Sequence, residues 1–76
     1  MTIREIEDYY RNMADNYDRE AYELRHSGET HEENKEYDKA ISLYTLSAEN
    51  YDKSRLCTDF VNALVKYEIL ESCKQK

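Results

Sequence analysis

One glycine and no proline in 76 residues leave this chain few means of turning sharply. Sheets are joined by turns that need glycine, proline or Asn-Gly pairs to reach positive or fixed φ, and no Asn-Gly pair occurs. What remains favours helices. Charged side chains make up 37% of the chain, and the strong helix formers Glu, Lys, Arg, Leu and Ala are abundant. The sequence therefore reads as all-α, a single helical domain over residues 1–76, near the smallest size at which one core holds a fold unaided.

Start and stop signals divide this helical chain. Thr2-Ile3-Arg4-Glu5 has the form of a capping box, in which the Thr2 hydroxyl and the Glu5 carboxylate each take a backbone N–H of the other. Ile3, Ile6, Tyr10, Met13, Tyr17 and Leu24 follow at steps of three and four, with Ala21 covering the gap at Glu20. Gly28, the only glycine, predicts a stop near His26 in the left-handed conformation. Thr30-His31-Glu32-Glu33 repeats the capping box and opens a second helix, with Tyr37, Tyr44 and Tyr51 seven residues apart as its core column. The apolar phase then breaks between Tyr51 and Leu56, where Asn50, Asp52 and Ser54 favour a turn. The expected architecture is a three-helix bundle with helices at about 3–26, 31–50 and 54–72. With no glycine or proline at the second boundary, the last two helices merging into one long helix, and the bundle into a helical hairpin, stays open.

The third expected helix is apolar almost all round. Leu56, Phe60, Ala63, Leu64, Tyr67 and Leu70 form its core stripe, and Cys57, Val61, Val65, Ile69 and Cys73 add apolar surface beside it. A helix of that kind is buried on more than one side, so Cys57, Val61, Val65 and Ile69 are the expected self-association surface of a homodimer. The plain alternative is that valine and cysteine are simply tolerated in water. The two cysteines lie sixteen residues apart on that helix, roughly 24 Å along its axis, too far to bridge. With no signal-like segment and no apolar run longer than Ala63-Leu64-Val65, the expected setting is the reducing cytoplasm, away from membranes.

The net charge of −6 is unevenly placed. Residues 1–53 hold fourteen of the seventeen acids and seven of the eleven bases, which argues against direct nucleic-acid or anionic-membrane binding there. Glu29, Glu32, Glu33, Glu36 and Asp38 are the densest cluster, with only Lys35 among them. At the start of a helix one or two such acids are stabilising, but like charges at i, i+4 repel. Helix one adds Asp8 and Asp15, and Tyr9 and Tyr22 lie off its main stripe. Those nine residues are the candidate partner-binding set: the carboxylates take the place of phosphates, and the rings stack on arginines of a basic protein surface. A solvated, solubilising face is the competing reading. His26 and His31 flank Gly28 near several glutamates, but no ligand pair has the i, i+4 spacing of a helical zinc site. No phosphate loop, Cys-x-x-Cys or His-Glu-x-x-His occurs, so neither catalysis, metal nor cofactor is expected.

Tyr37-Asp38-Lys39-Ala40-Ile41, with Tyr44 and Ala48 after it and Ala21, Leu24 and Gly28 before it, resembles a single tetratricopeptide repeat over residues 21–53. Ser27 and His31 replace large apolar residues of that pattern, Asp52 stands where proline usually follows, and the alignment places Gly28 inside a helix. The resemblance implies a scaffold or adaptor that binds a partner helix or peptide in an apolar groove. A three-helix module of the microtubule-interacting and trafficking type is similar to the same degree. From the residues themselves the expected function is a non-enzymatic binding module whose acidic surface occupies a basic surface of a protein partner. In size and charge it resembles small phage-type inhibitors of nucleic-acid-binding proteins.

Overall fold

A computed structural model describes residues 2–74, and its two helices, α1 (Ile3–Glu33) and α2 (Tyr37–Lys74), fold back along one another as an antiparallel hairpin. The hairpin is long and thin, 63 × 17 × 13 Å. The all-helical class holds, but a three-helix bundle does not form. Residues 1, 75 and 76 of the expected domain lie outside the described residues.

Both expected boundaries fall inside helices. Gly28 is helical and buried, with no positive φ, and the second capping box does not cap: Thr30 Oγ1 donates instead to the His26 carbonyl at 3.2 Å, one turn back. A Cβ on Gly28 would stand 2.8 Å from Tyr44 Cε1. The missing side chain thus makes room for a ring of the opposite helix, and ends nothing. At the second boundary the polar groups of Asn50 and Asp52 find partners within α2. Asn50 Nδ2 donates to the Leu46 carbonyl at 2.9 Å, Asp52 pairs with Arg55 at 2.9 Å, and Ser54 is a small buried seam residue.

The chain reverses at Asn34-Lys35-Glu36. Lys35 takes the left-handed conformation at φ 61° without being glycine. Lys35 N–H donates to the Glu32 carbonyl (2.9 Å) and Glu36 N–H to the His31 carbonyl (2.8 Å), the hydrogen-bond pair of a Schellman motif. Glu36 also accepts the first bond of α2, from Ala40 N–H at 3.1 Å, so one residue closes α1 and opens α2. At the other end of α1 the first capping box is present in altered form. Glu5 N–H donates to Thr2 Oγ1, while the Thr2 hydroxyl donates to the Glu5 carboxylate.

The seam is built from small residues every seventh position. Glu7, Ala14, Ala21 and Gly28 are buried on α1, facing Ala40, Ser47, Ser54 and Val61 on α2. This heptad spacing is that of a coiled coil, but with alanine, serine and glycine where leucine or isoleucine is usual. Small seam residues let the backbones approach closely. Ser47 Oγ reaches across to donate to the Ala21 carbonyl at 2.7 Å.

That seam inverts the expected core. Tyr37 and Tyr51 are exposed and Tyr44 is half-buried. In the last third of the chain Leu56, Phe60, Tyr67 and Leu70, expected as core, are exposed. Cys57 and Val61, expected to meet a second chain, are instead buried in the seam against α1. The reason is register: α2 is one helix, so the phase set by Ala40 and Ser47 carries through Ser54 to Val61 without a reset.

Candidate functional site

The reversal gathers the acidic cluster from both helices. Glu29, Glu32 and Glu33 lie in the last turns of α1, whereas Glu36 and Asp38 lie at the start of α2. The helix dipole therefore favours only the last two, and at the carboxyl end of α1 it opposes the first three. The acids are also better paired than the sequence implies. Glu29 lies 3.8 Å from Arg25 Nε and 3.6 Å from His26 Nδ1. Glu32 accepts from the Tyr44 hydroxyl at 3.1 Å, and burial, followed by that carboxylate, pushes the Tyr44 phenol above its ordinary value. Glu36 holds Lys39 at 2.9 Å. That hydrogen bond and the Lys39 charge, with a smaller contribution from His31, keep the Glu36 carboxyl below its ordinary value. Only Glu33 and Asp38 of the five form no ion pair or side-chain hydrogen bond among the described residues.

His31 Nδ1 sits 3.5 Å from Glu36 Oε1, just beyond a hydrogen bond, and is buried without one. Among the described residues no three His, Cys, Asp or Glu side chains are grouped so as to hold a metal ion. Among the same residues no helix is long and apolar enough to cross a membrane.

The helix-one candidates divide between two faces. Asp8, Asp15, Tyr22 and Glu29 are seven residues apart and share one stripe of α1, about 31 Å long from Asp8 to Glu29. Arg11 lies 4.0 Å from Asp8. Arg25 stands 5.7 Å above the Tyr22 ring, and His26 packs edge-on to it at 4.3 Å. A partner arginine that stacked on Tyr22 would have to displace them. Tyr9 is not part of this stripe. It rests against Tyr10 at 5.3 Å, and with Ile6, Tyr10 and Phe60 it lines an apolar hollow of about 370 Å³. The self-association residues are divided too: Cys57 and Val61 are buried, Val65 is half-buried, and Ile69 is exposed.

Sequence reasoning missed a carboxyl pair at the open end of the hairpin. Glu7 occupies a seam position, 6% exposed, with Oε1 buried and lacking a hydrogen-bond partner. Arg11, one turn further along α1, turns to Asp8 and not to Glu7. The neighbouring Glu68 carboxyl, which favours a shared proton, raises the Glu7 carboxyl above its ordinary 4.5, as do burial and the Glu68 charge, while Arg11 and Arg4 oppose. The signal was present: Glu7 falls in the column of Ala14, Ala21 and Gly28. No family model, curated protein or solved structure matches this chain, so its own geometry carries the functional reading.

Proposed function

We propose that this chain is a non-catalytic protein-binding hairpin, acting in the cytoplasm, whose acidic reversal occupies a basic surface of a protein partner. The observation that carries the reading is the gathering of five carboxylates around one tight turn. Among the described residues three of them, Glu32, Glu33 and Asp38, are without a cation, and the cations nearby are Arg25, Lys35 and Lys39. A convex end of this kind suits a concave basic surface, including one built to hold phosphates, and long-range attraction speeds its docking. Blocking such a surface is how the chain would inhibit a nucleic-acid-binding protein.

The test is capture of the partner on the immobilised full chain, followed by a salt gradient. Bound protein should elute between roughly 50 and 200 mM salt, because exposed charges beyond about 10 Å are screened in that range. The E32Q/E33Q/E36Q variant should retain little of it. Undiminished capture by that variant would sink the proposal.

A second reading has its own observation. The hollow lined by Ile6, Tyr9, Tyr10 and Phe60 suits an apolar side chain of a partner helix, as a tetratricopeptide-like adaptor would require. Binding there would withstand salt and be lost on Phe60→Glu.

A further inference from the structure

The seam is too thin to be the whole core of this chain. Its buried apolar residues are Ala14, Ala21, Ala40, Cys57 and Val61, and no large side chain is fully buried. The accessible surface is 6,023 Å², whereas a folded monomer of 9.2 kDa is expected to expose about 4,900 Å². The chain thus leaves about 1,100 Å² more in water than its mass accounts for.

Much of the apolar part of that surface lies on one face. On α1, Ile6 and Met13 are seven residues apart with Tyr9 alongside. On α2, Phe60 and Tyr67 are seven apart, with Leu56 beside them. The Tyr10 and Phe60 rings meet at 4.7 Å, which puts both sets on the same side of the hairpin. The opposite side of α1 carries Arg4, Arg11, Asp18, Arg25 and Glu32 at seven-residue spacing, and Glu32 meets Tyr44 there.

We propose that a second copy of this chain covers the apolar face, the two hairpins packing about a two-fold axis near Phe60 as a four-helix bundle. The size supports this occupant. From Leu46, in the column of Phe60 and Tyr67, to Leu70 the face runs about 36 Å along α2, apolar from Leu56 onward and crossed by Glu49 and Lys53 before it, and the hairpin is 17 Å wide. That gives roughly 600 Å² per chain, and the excess surface gives about 1,100 Å² as an upper value. Twice either figure reaches the range of stable specific interfaces, about 1,200–2,000 Å² or more. Folding supports it as well. Helices stacked on a small-residue seam gain little from burial, so the cover must be present whenever the chain folds, and another copy always is. The arrangement leaves the acidic reversals projecting at the two ends of the dimer and stands apart from the role proposed for them.

Sedimentation equilibrium on the full chain at tens of micromolar tests this. Wild type should sediment at twice 9.2 kDa, and its thermal midpoint should rise with protein concentration. The L56E/Y67E double variant, at sites 68% and 53% exposed, should halve the mass or unfold at the same concentration. I41E, 62% exposed on the stripe it shares with Ile69, should remain dimeric. A helical wild type at 9.2 kDa with a concentration-independent midpoint overturns the proposal. So does a dimer that survives L56E/Y67E and dissociates in Ile69→Glu, or a mixed complex in which a foreign protein takes the second copy's place.

Discussion

The two halves of the hairpin solve the packing of two helices in opposite ways. Toward the reversal, Ala21, Gly28, Ala40 and Ser47 bring the backbones together. A serine hydroxyl crosses to the opposite carbonyl, and a tyrosine ring fills the space a Cβ would take. That half is closed by its own small residues and shows water its charges together with scattered large side chains, Tyr22, Tyr37, Ile41 and Leu46. Toward the open end the Glu7 carboxyl enters the seam beside an exposed Glu68, and the large side chains, Leu56, Phe60, Tyr67 and Leu70, face outward. The difference teaches that small seam residues bring two backbones together, while the open half gathers large side chains into an apolar face that its own seam does not cover.

The comparison is broken most forcefully at Ala21, which is fully buried beneath Ser47. Ala21→Leu adds three heavy atoms where none fit, and should cost about 3 kcal/mol in urea unfolding. A loss below about 0.5 kcal/mol would show that the helices are free to separate there, since surface substitutions fall in that range.

Gly28→Ala is the next largest. In a helix interior the exchange gains about 1 kcal/mol from propensity alone. Here the new Cβ meets the Tyr44 ring, whose hydroxyl is held by Glu32, so the expected net result is a loss of about 1 kcal/mol. In a Tyr44→Ala background the same exchange should turn stabilising. A double-mutant cycle reads the change of sign, and its absence would mean that the ring moves aside freely.

The smallest effect sharpens the open half. Glu7 binds its proton more tightly folded than unfolded, so its contribution to stability is fully present below the ordinary 4.5 and is lost as pH rises through the raised folded value. Glu7→Gln should therefore raise the thermal midpoint at pH 7, leave it little changed near pH 4, and flatten the slope between. Matching slopes in the two proteins would show that Glu68 does not oppose Glu7.

Composition alone made this protein helical: with one glycine, no proline and helix formers throughout, no other regular structure is supported. Local chemistry also placed the first helix start, where Thr2 and Glu5 lie side by side. The start and stop of the middle segment were misread because Gly28 looks like a terminator in one dimension. Only the opposite helix reveals that its missing Cβ is space for Tyr44. The true reversal uses Lys35 at positive φ, a choice that three backbone hydrogen bonds around it over-determine and that no residue type announces. The candidate site was legible as residues but not as a surface. The acids stand out along the chain by their density, yet their pairing with Arg25, His26, Lys39 and Tyr44, and the assignment of Tyr9 to the apolar face, follow from where the two helices lie. Seven-residue periodicity is carried by every column of a long helix at once. The sequence determines that such columns exist, and only tertiary packing decides which one is inside, because close approach rewards the smallest residues rather than the most apolar ones.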